Sequence, residues 1–152
     1  DYSKKTKNEE TAESVSRRLV EAAKKRDADE VKTLLQHPLV DPSFVARRDG
    51  WDDRTALREA AENGHVEVVR ALLEDGRADP AADESADLRW VAVKGRTEVV
   101  SLLLKDKRSD SAARDNFAVR LAAQNGHTEV VKLLLRDSRV DPSTQNNCAV
   151  YN

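Results

Sequence analysis

Three histidines, one cysteine and a spaced row of arginines are the side chains whose chemistry has to be decided first. His37, His65 and His127 would suit a metal or an acid–base role only if they converged. His65 and His127 occupy equivalent places in two similar stretches with a third such stretch between them, so a chain that repeats along an axis holds them far from one another. A local role fits them better, capping a helix or bonding to a neighbouring loop. Cys148 is the only cysteine, so no internal disulfide can form, and it stands where another stretch has Phe117, which favours core filling. The five glycines form no phosphate-cradling loop, and no metal-ligand spacing is present. The expectation is no catalytic residue, no cofactor and no metal.

Arg58, Arg89 and Arg120 recur at one constant interval. A structural use, bonding loop carbonyls or an acid such as Asp52 or Asp83, is favoured over a basic stripe for an acidic partner. The pairs Arg77/Asp79, Arg108/Asp110 and Arg139/Asp141 likewise read as loop architecture. Trp51 sits in VARRDGWDDRTAL, among Arg47, Arg48, Asp52, Asp53 and Arg54. Aromatic and arginine side chains concentrate binding energy, so Trp51 is either a contact for a partner or a cover over the core. Trp90 aligns with Glu59 and Leu121 beside the core, and packing is its expected use.

The elements that position these residues follow from an internal repeat. AAENGHVEVVRALL starts at Ala60, VAVKGRTEVVSLLL at Val91 and AAQNGHTEVVKLLL at Ala122, evenly spaced along the chain. A degenerate copy, AAKKRDADEVKTLL, starts at Ala22, and its longer distance to the next copy leaves extra chain around Trp51. Within a copy, Leu57, Ala60 and Ala61 recur at helical spacing. Gly64 then ends that helix, since glycine accepts positive φ freely. Val66, Val68, Val69, Leu72 and Leu73 mark a second, more apolar helix that Asp79-Pro80 is expected to close. Helices this short are marginal alone, so stacking must stabilise them, with small alanines letting the inner helices approach.

Composition agrees with such a thin array better than with a compact globule. Charged residues are 36% and aromatic residues 4%, numbers that lean toward disorder unless each unit needs only a few apolar residues to hold its neighbours. A net charge of −2, from 26 basic and 28 acidic residues, gives no reason to expect nucleic acid or an anionic membrane. No apolar stretch is long enough to span a bilayer, and DYSKKTKNEETAE lacks the core of a signal peptide. The absence of an initiator Met reads as a processed chain or an excised segment. The location expected is intracellular, cytoplasmic before any other.

NGHVEVVRALLEDGRAD and NGHTEVVKLLLRDSRVD resemble the second half of an ankyrin repeat, whose signature is G-H-x-E-V-V-x-L-L-L, and TALREAA is similar to its T-P-L-H-x-A-A opening. The resemblance covers roughly residues 14 to 151 and implies an all-α ankyrin-repeat solenoid. Its units would be antiparallel helix pairs with short β-turn or loop fingers, about four of them stacked, plus a C-terminal stub. The units run approximately 14–43, 44–81, 82–112, 113–143 and a partial 144–152, after a charged extension over 1–13. The period is about 31 residues where the family has about 33, so the fingers should be short. Arg58, Arg89 and Arg120 stand where the family has a histidine that ties units together.

The resemblance further implies a non-catalytic module that binds a protein partner through its concave face and fingers, as a monomer, without nucleic acid or membrane insertion. Carried over by alignment, the contact positions are Trp51, Asp52 and Arg54 with Glu62 and Asn63; Asp83, Glu84 and Ser85 with Val93 and Lys94; and Arg114, Asp115 and Asn116 with Gln124 and Asn125. These positions vary between copies while the core repeats. Two other readings stay open: a targeting or regulatory segment of a larger enzyme or effector, and a structural protein that self-associates through the ends of its stack.

Overall fold

The structure is a computed structural model, and it describes residues 10–48, 52–80, 82–106 and 113–137. Within these lie four consecutive helix pairs: α1 (Ala12–Lys24) with α2 (Ala28–Leu35), α3 (Ala56–Glu62) with α4 (Val66–Asp75), α5 (Ala82–Lys94) with α6 (Thr97–Lys105), and α7 (Ala113–Gln124) with α8 (Thr128–Arg136). A short antiparallel hairpin, β1 (Ala46–Arg48) and β2 (Asp52–Arg54), separates the first pair from the second, in the register Ala46↔Arg54.

Local signals start and stop these helices. Thr11 accepts from Ser14 N–H while the Ser14 hydroxyl receives the Thr11 N–H, a reciprocal cap on α1. Asp27 caps α2 through Glu30 N–H, and Thr55 caps α3 through Arg58 N–H. All four inner helices end in one double hydrogen bond. In the second unit His65 N–H reaches Ala60 O at 2.9 Å and Gly64 N–H reaches Ala61 O at 3.1 Å. This pattern needs a left-handed residue between helices: Gly64, Gly95 and Gly126 take φ of 72°, 70° and 74°, and the degenerate first unit forces Arg26 to 66°.

The end of α4 is a correction to the sequence reading. Asp79-Pro80 lies beyond it, and Gly76, at φ 85°, stops the helix first. Pro80 and Pro42 are buried in the loops that follow.

First helices pack on first helices (α1 on α3, α3 on α5, α5 on α7), and second helices on second (α2 on α4, α4 on α6, α6 on α8). The core between them is a ribbon of alanines and β-branched or leucine side chains. Ala23, Ala60, Ala61, Ala92 and Ala122 are buried on the inner helices, with Val68, Leu72, Val99, Leu103, Val130 and Leu134 on the outer ones. This is the all-α solenoid expected, with a two-stranded finger added. The extra chain around Trp51 explains it, because the first junction alone has length enough for a hairpin. At the later junctions the chain turns into long inner helices: α5 and α7 have 13 and 12 residues, α3 only seven.

Candidate binding surface

The hairpin is locked to α3 by charge. Arg54, the last residue of β2, donates from Nη1 to Glu62 Oε2 at 2.6 Å and lies 3.6 Å from Glu59. Arg58, one turn before Glu62 on α3, donates from Nε to its other oxygen at 2.9 Å. Glu62 is thus shared by two guanidinium groups, with only 14% of its side chain exposed. Such partly buried use of both carboxylate oxygens is worth more than a surface ion pair.

The arginine row runs over aromatic rings, which the sequence reading had not offered as its partners. Arg58 lies 5.3 Å from the Trp90 ring of the next unit. Arg89 and Arg120 lie 5.7 and 5.2 Å from Phe117, approaching it from two units. In the first unit Arg17 similarly covers Phe44 at 5.6 Å. A guanidinium over an aromatic face gains from the ring quadrupole while both shield apolar area. Trp90 corrects a second expectation: it is not packed inside but 43% exposed. At its position the stack buries Glu59 in the second unit and half-buries Leu121 in the fourth.

The histidines bind units together. His65 bonds through Nδ1 to Ala23 O at 2.9 Å and His127 through Nε2 to Val93 O at 2.8 Å, each reaching back to the inner helix of the preceding unit. Arg96, the residue at the same step of the third unit, donates from Nε to Glu62 O at 3.2 Å. None of the three caps its own helix with its side chain. His37 accepts the Leu39 N–H on Nδ1 and so presents its Nε2 proton to Glu10, 3.0 Å away. Among the described residues no three His, Cys, Asp or Glu side chains gather into a metal site.

Arg77 makes a further tie, through a different acid from the one the sequence reading gave it. It chelates Asp75, with Nε and Nη2 both at 2.9 Å from its oxygens, and donates from Nη2 to Leu35 O at 2.7 Å, at the end of α2. The hydrogen bond from Arg77 holds the Asp75 carboxyl below the usual aspartate range, against an opposing effect of burial. The signal was legible: Asp75/Arg77, Asp106/Arg108 and Asp137/Arg139 recur with the repeat. Arg108 and Arg139, like Cys148, lie outside the described residues.

The expected contact positions separate into groups. Trp51 lies outside the described residues; Asp52 pairs with Arg48 along the hairpin, its side chain undescribed. Arg54 and Glu62 are joined in the ion pair above. Asn63 and Asn125 turn their amides back onto Glu59 O and Leu121 O, at 2.7 and 2.8 Å, and so finish their own helices. Asp83, Glu84 and Ser85, expected at a finger tip, stand in the first turn of α5, and Arg114, Asp115 and Asn116 in the first turn of α7. Acids favour a helix N-terminus, and with no spare residues the chain winds there instead of turning. Lys94, Gln124 and the half-exposed Val93 end their helices on one side of the stack.

A cavity of about 50 Å³ opens between α1, the hairpin and α3, lined by Arg17, Val20, Glu21, Lys24, Ala46, Arg54 and Glu59. It is too small for more than a side chain or a few waters. No helix among the described residues is long and apolar enough to cross a membrane. Two family models match the sequence: one described as ankyrin repeats (3 copies) over residues 17–84, the other as ankyrin repeat over residues 117–147. No curated protein matches the chain.

Proposed function

The chain belongs to the ankyrin-repeat family, and on that premise we propose that it binds a protein partner through its inner helices and its hairpin finger, and performs no catalysis itself. Ankyrin repeats are generally protein–protein interaction modules and are typically non-catalytic. The observation that carries the reading is the exposed Trp90, standing on an inner helix among arginines, where the equivalent residue of the preceding unit is buried. A stack needs no tryptophan in water; a contact surface does. The side chains around it differ from unit to unit, while the core and the ties between units recur.

The test is retention of a partner by the chain and by variants. Asp83→Lys with Lys94→Glu, Trp51→Ala and Trp90→Ala should each weaken capture of the same protein, with far-UV circular dichroism unchanged. Undiminished capture by all of them would remove the surface from consideration. Self-association is the second reading, and light scattering coupled to size exclusion separates it: a single monomeric mass across concentrations is the expected result.

A further inference from the structure

We propose that the cavity between α1, the hairpin and α3 receives a primary carboxamide side chain, glutamine or asparagine, from the protein partner. This rests on the protein-binding reading above and names one residue class that the partner brings. Glu59 is the group that calls for it. Its side chain is only 10% exposed, and its closest cation, Arg54 Nε, stands 3.6 Å away, beyond hydrogen-bond length. It accepts no hydrogen bond from any described residue. Glu62, one turn further along the same helix, uses both of its oxygens, at 2.6 and 2.9 Å. A carboxylate covered by protein and left without a donor is unfavourable. Glu59 has an outlet, because it lines the cavity of about 50 Å³.

The rest of the lining selects the donor. Arg17, Lys24 and Arg54 stand around the cavity together with Glu21. A further ammonium or guanidinium would crowd these cations, and a carboxylate would crowd Glu21 and Glu59. An uncharged tip that both donates and accepts is what remains. Arg17 is already joined to Glu13 at 2.9 Å and Arg54 to Glu62 at 2.6 Å. Lys24, exposed on the α1 wall, has no acceptor among the described residues. A carboxamide can therefore donate from its nitrogen to Glu59 on α3 while its oxygen accepts from Lys24 on α1. A serine or threonine hydroxyl must do both from one atom on a short stem. Val20, 5% exposed, and the half-buried Ala46 give the lining an apolar part, which methylene groups cover better than water does. The volume agrees, since it admits one side chain and no larger ligand.

The experiment follows the backbone amide NMR signals of the full chain while tripeptides Ala-X-Ala are added, with X glutamine, lysine, glutamate, threonine or leucine. Each carries an N-acetyl and an N-methylamide cap, so that only the glutamine one holds a primary carboxamide. That tripeptide should shift the Val20, Ala46 and Glu59 signals saturably, with a Kd in the millimolar range that one side chain can supply. The others should bind at least about fivefold more weakly. Glu59→Leu, which keeps the bulk and removes the acceptor, should weaken the glutamine tripeptide by about tenfold or more. Lys24→Ala should weaken it by less, and circular dichroism should stay unchanged in both. A cavity that holds water only, giving no saturable shift, would overturn the proposal. So would equal binding of the lysine or leucine tripeptide, or indifference to Glu59→Leu. Partner capture separates the proposal from the broader reading. A partner lost with Trp90→Ala but fully retained by Glu59→Leu overturns the carboxamide subsite alone. Glutamine tripeptide binding by a chain that captures no partner sinks the broader reading, while the preference of the cavity stands.

Discussion

Replacing Gly95 with alanine should cost more than the same replacement at Gly64 or Gly126, although all three have nearly the same backbone. The left-handed φ of 70° to 74° charges any L-residue roughly 1–2 kcal/mol, and at Gly126 that is the whole effect, because an added Cβ meets nothing within 4 Å among the described residues. At Gly95 the Cβ would lie 2.5 Å from His127 Nδ1 and 2.7 Å from its Cε1. The ring must move, and its bond to Val93 O goes with it, a further loss of about 0.5–1.5 kcal/mol before any shift of backbone. Gly95→Ala should therefore cost about 2–4 kcal/mol against about 1–2 kcal/mol for Gly126→Ala. Gly64→Ala falls between, since its nearest neighbour, Arg96 Cδ at 3.1 Å, belongs to a flexible side chain. Urea unfolding followed by far-UV circular dichroism measures all three. A double-mutant cycle with His127→Ala isolates the cause, because the excess at Gly95 should vanish once the ring is gone. Equal losses at Gly95 and Gly126, or a cycle without coupling, would refute the idea that these turns are built around the next unit's side chain.

Leu103→Ala removes a fully buried leucine from the third outer helix and should cost about 2–5 kcal/mol. Because each unit leans on its neighbours, urea unfolding should also split into two transitions; a single unchanged step would count against this. Asp75 has its carboxyl pKa lowered in the folded chain from 3.8, chiefly by the hydrogen bond from Arg77. Its contribution is present above the unfolded value and lost as pH falls below it toward the folded one. The stability gap between wild type and Asp75→Asn should accordingly narrow on acidification below about pH 4, as urea midpoints at a series of pH values would show. Arg26→Gly relieves a left-handed arginine at φ 66°; net of the entropy glycine adds to the unfolded chain, thermal unfolding should show a gain of up to about 1 kcal/mol, and a loss would mean that the Arg26 side chain holds the first unit in some other way.

The periodic features were legible because they are local. Gly64, Gly95 and Gly126 announce a left-handed helix end wherever they occur, and the apolar spacing from Val66 to Leu73 gives a helix without reference to any other unit. Leu72, Leu103 and Leu134, at the same step of successive units, are all fully buried. Features that depend on two units at once were not legible. Trp90 aligns with residues beside the core, yet it stays 43% exposed with Arg58 of the preceding unit over its ring. The recurrence of Asp75 and Arg77 can be read from the sequence, but the reach of Arg77 to Leu35 O at the end of α2 depends on the preceding unit and cannot. The fingers at Asp83 and Arg114 failed for a plainer reason: a shortened repeat removes residues from the loop, and the next helix starts in what was the finger.

The first three inner-helix turns are each finished by a side chain that lies in the following unit: His65 over the first turn, Arg96 over the second, His127 over the third. The stack therefore has a direction in time as well as in space. During synthesis a unit leaves the ribosome with its helices paired but its turn uncovered, and it tightens only when about one repeat more of chain has emerged. Translation that stalls between Gly95 and His127 would leave the third turn open while the second is already closed by Arg96. Order would thus run along the nascent chain one unit behind its growing end, each repeat fastening the one made before it.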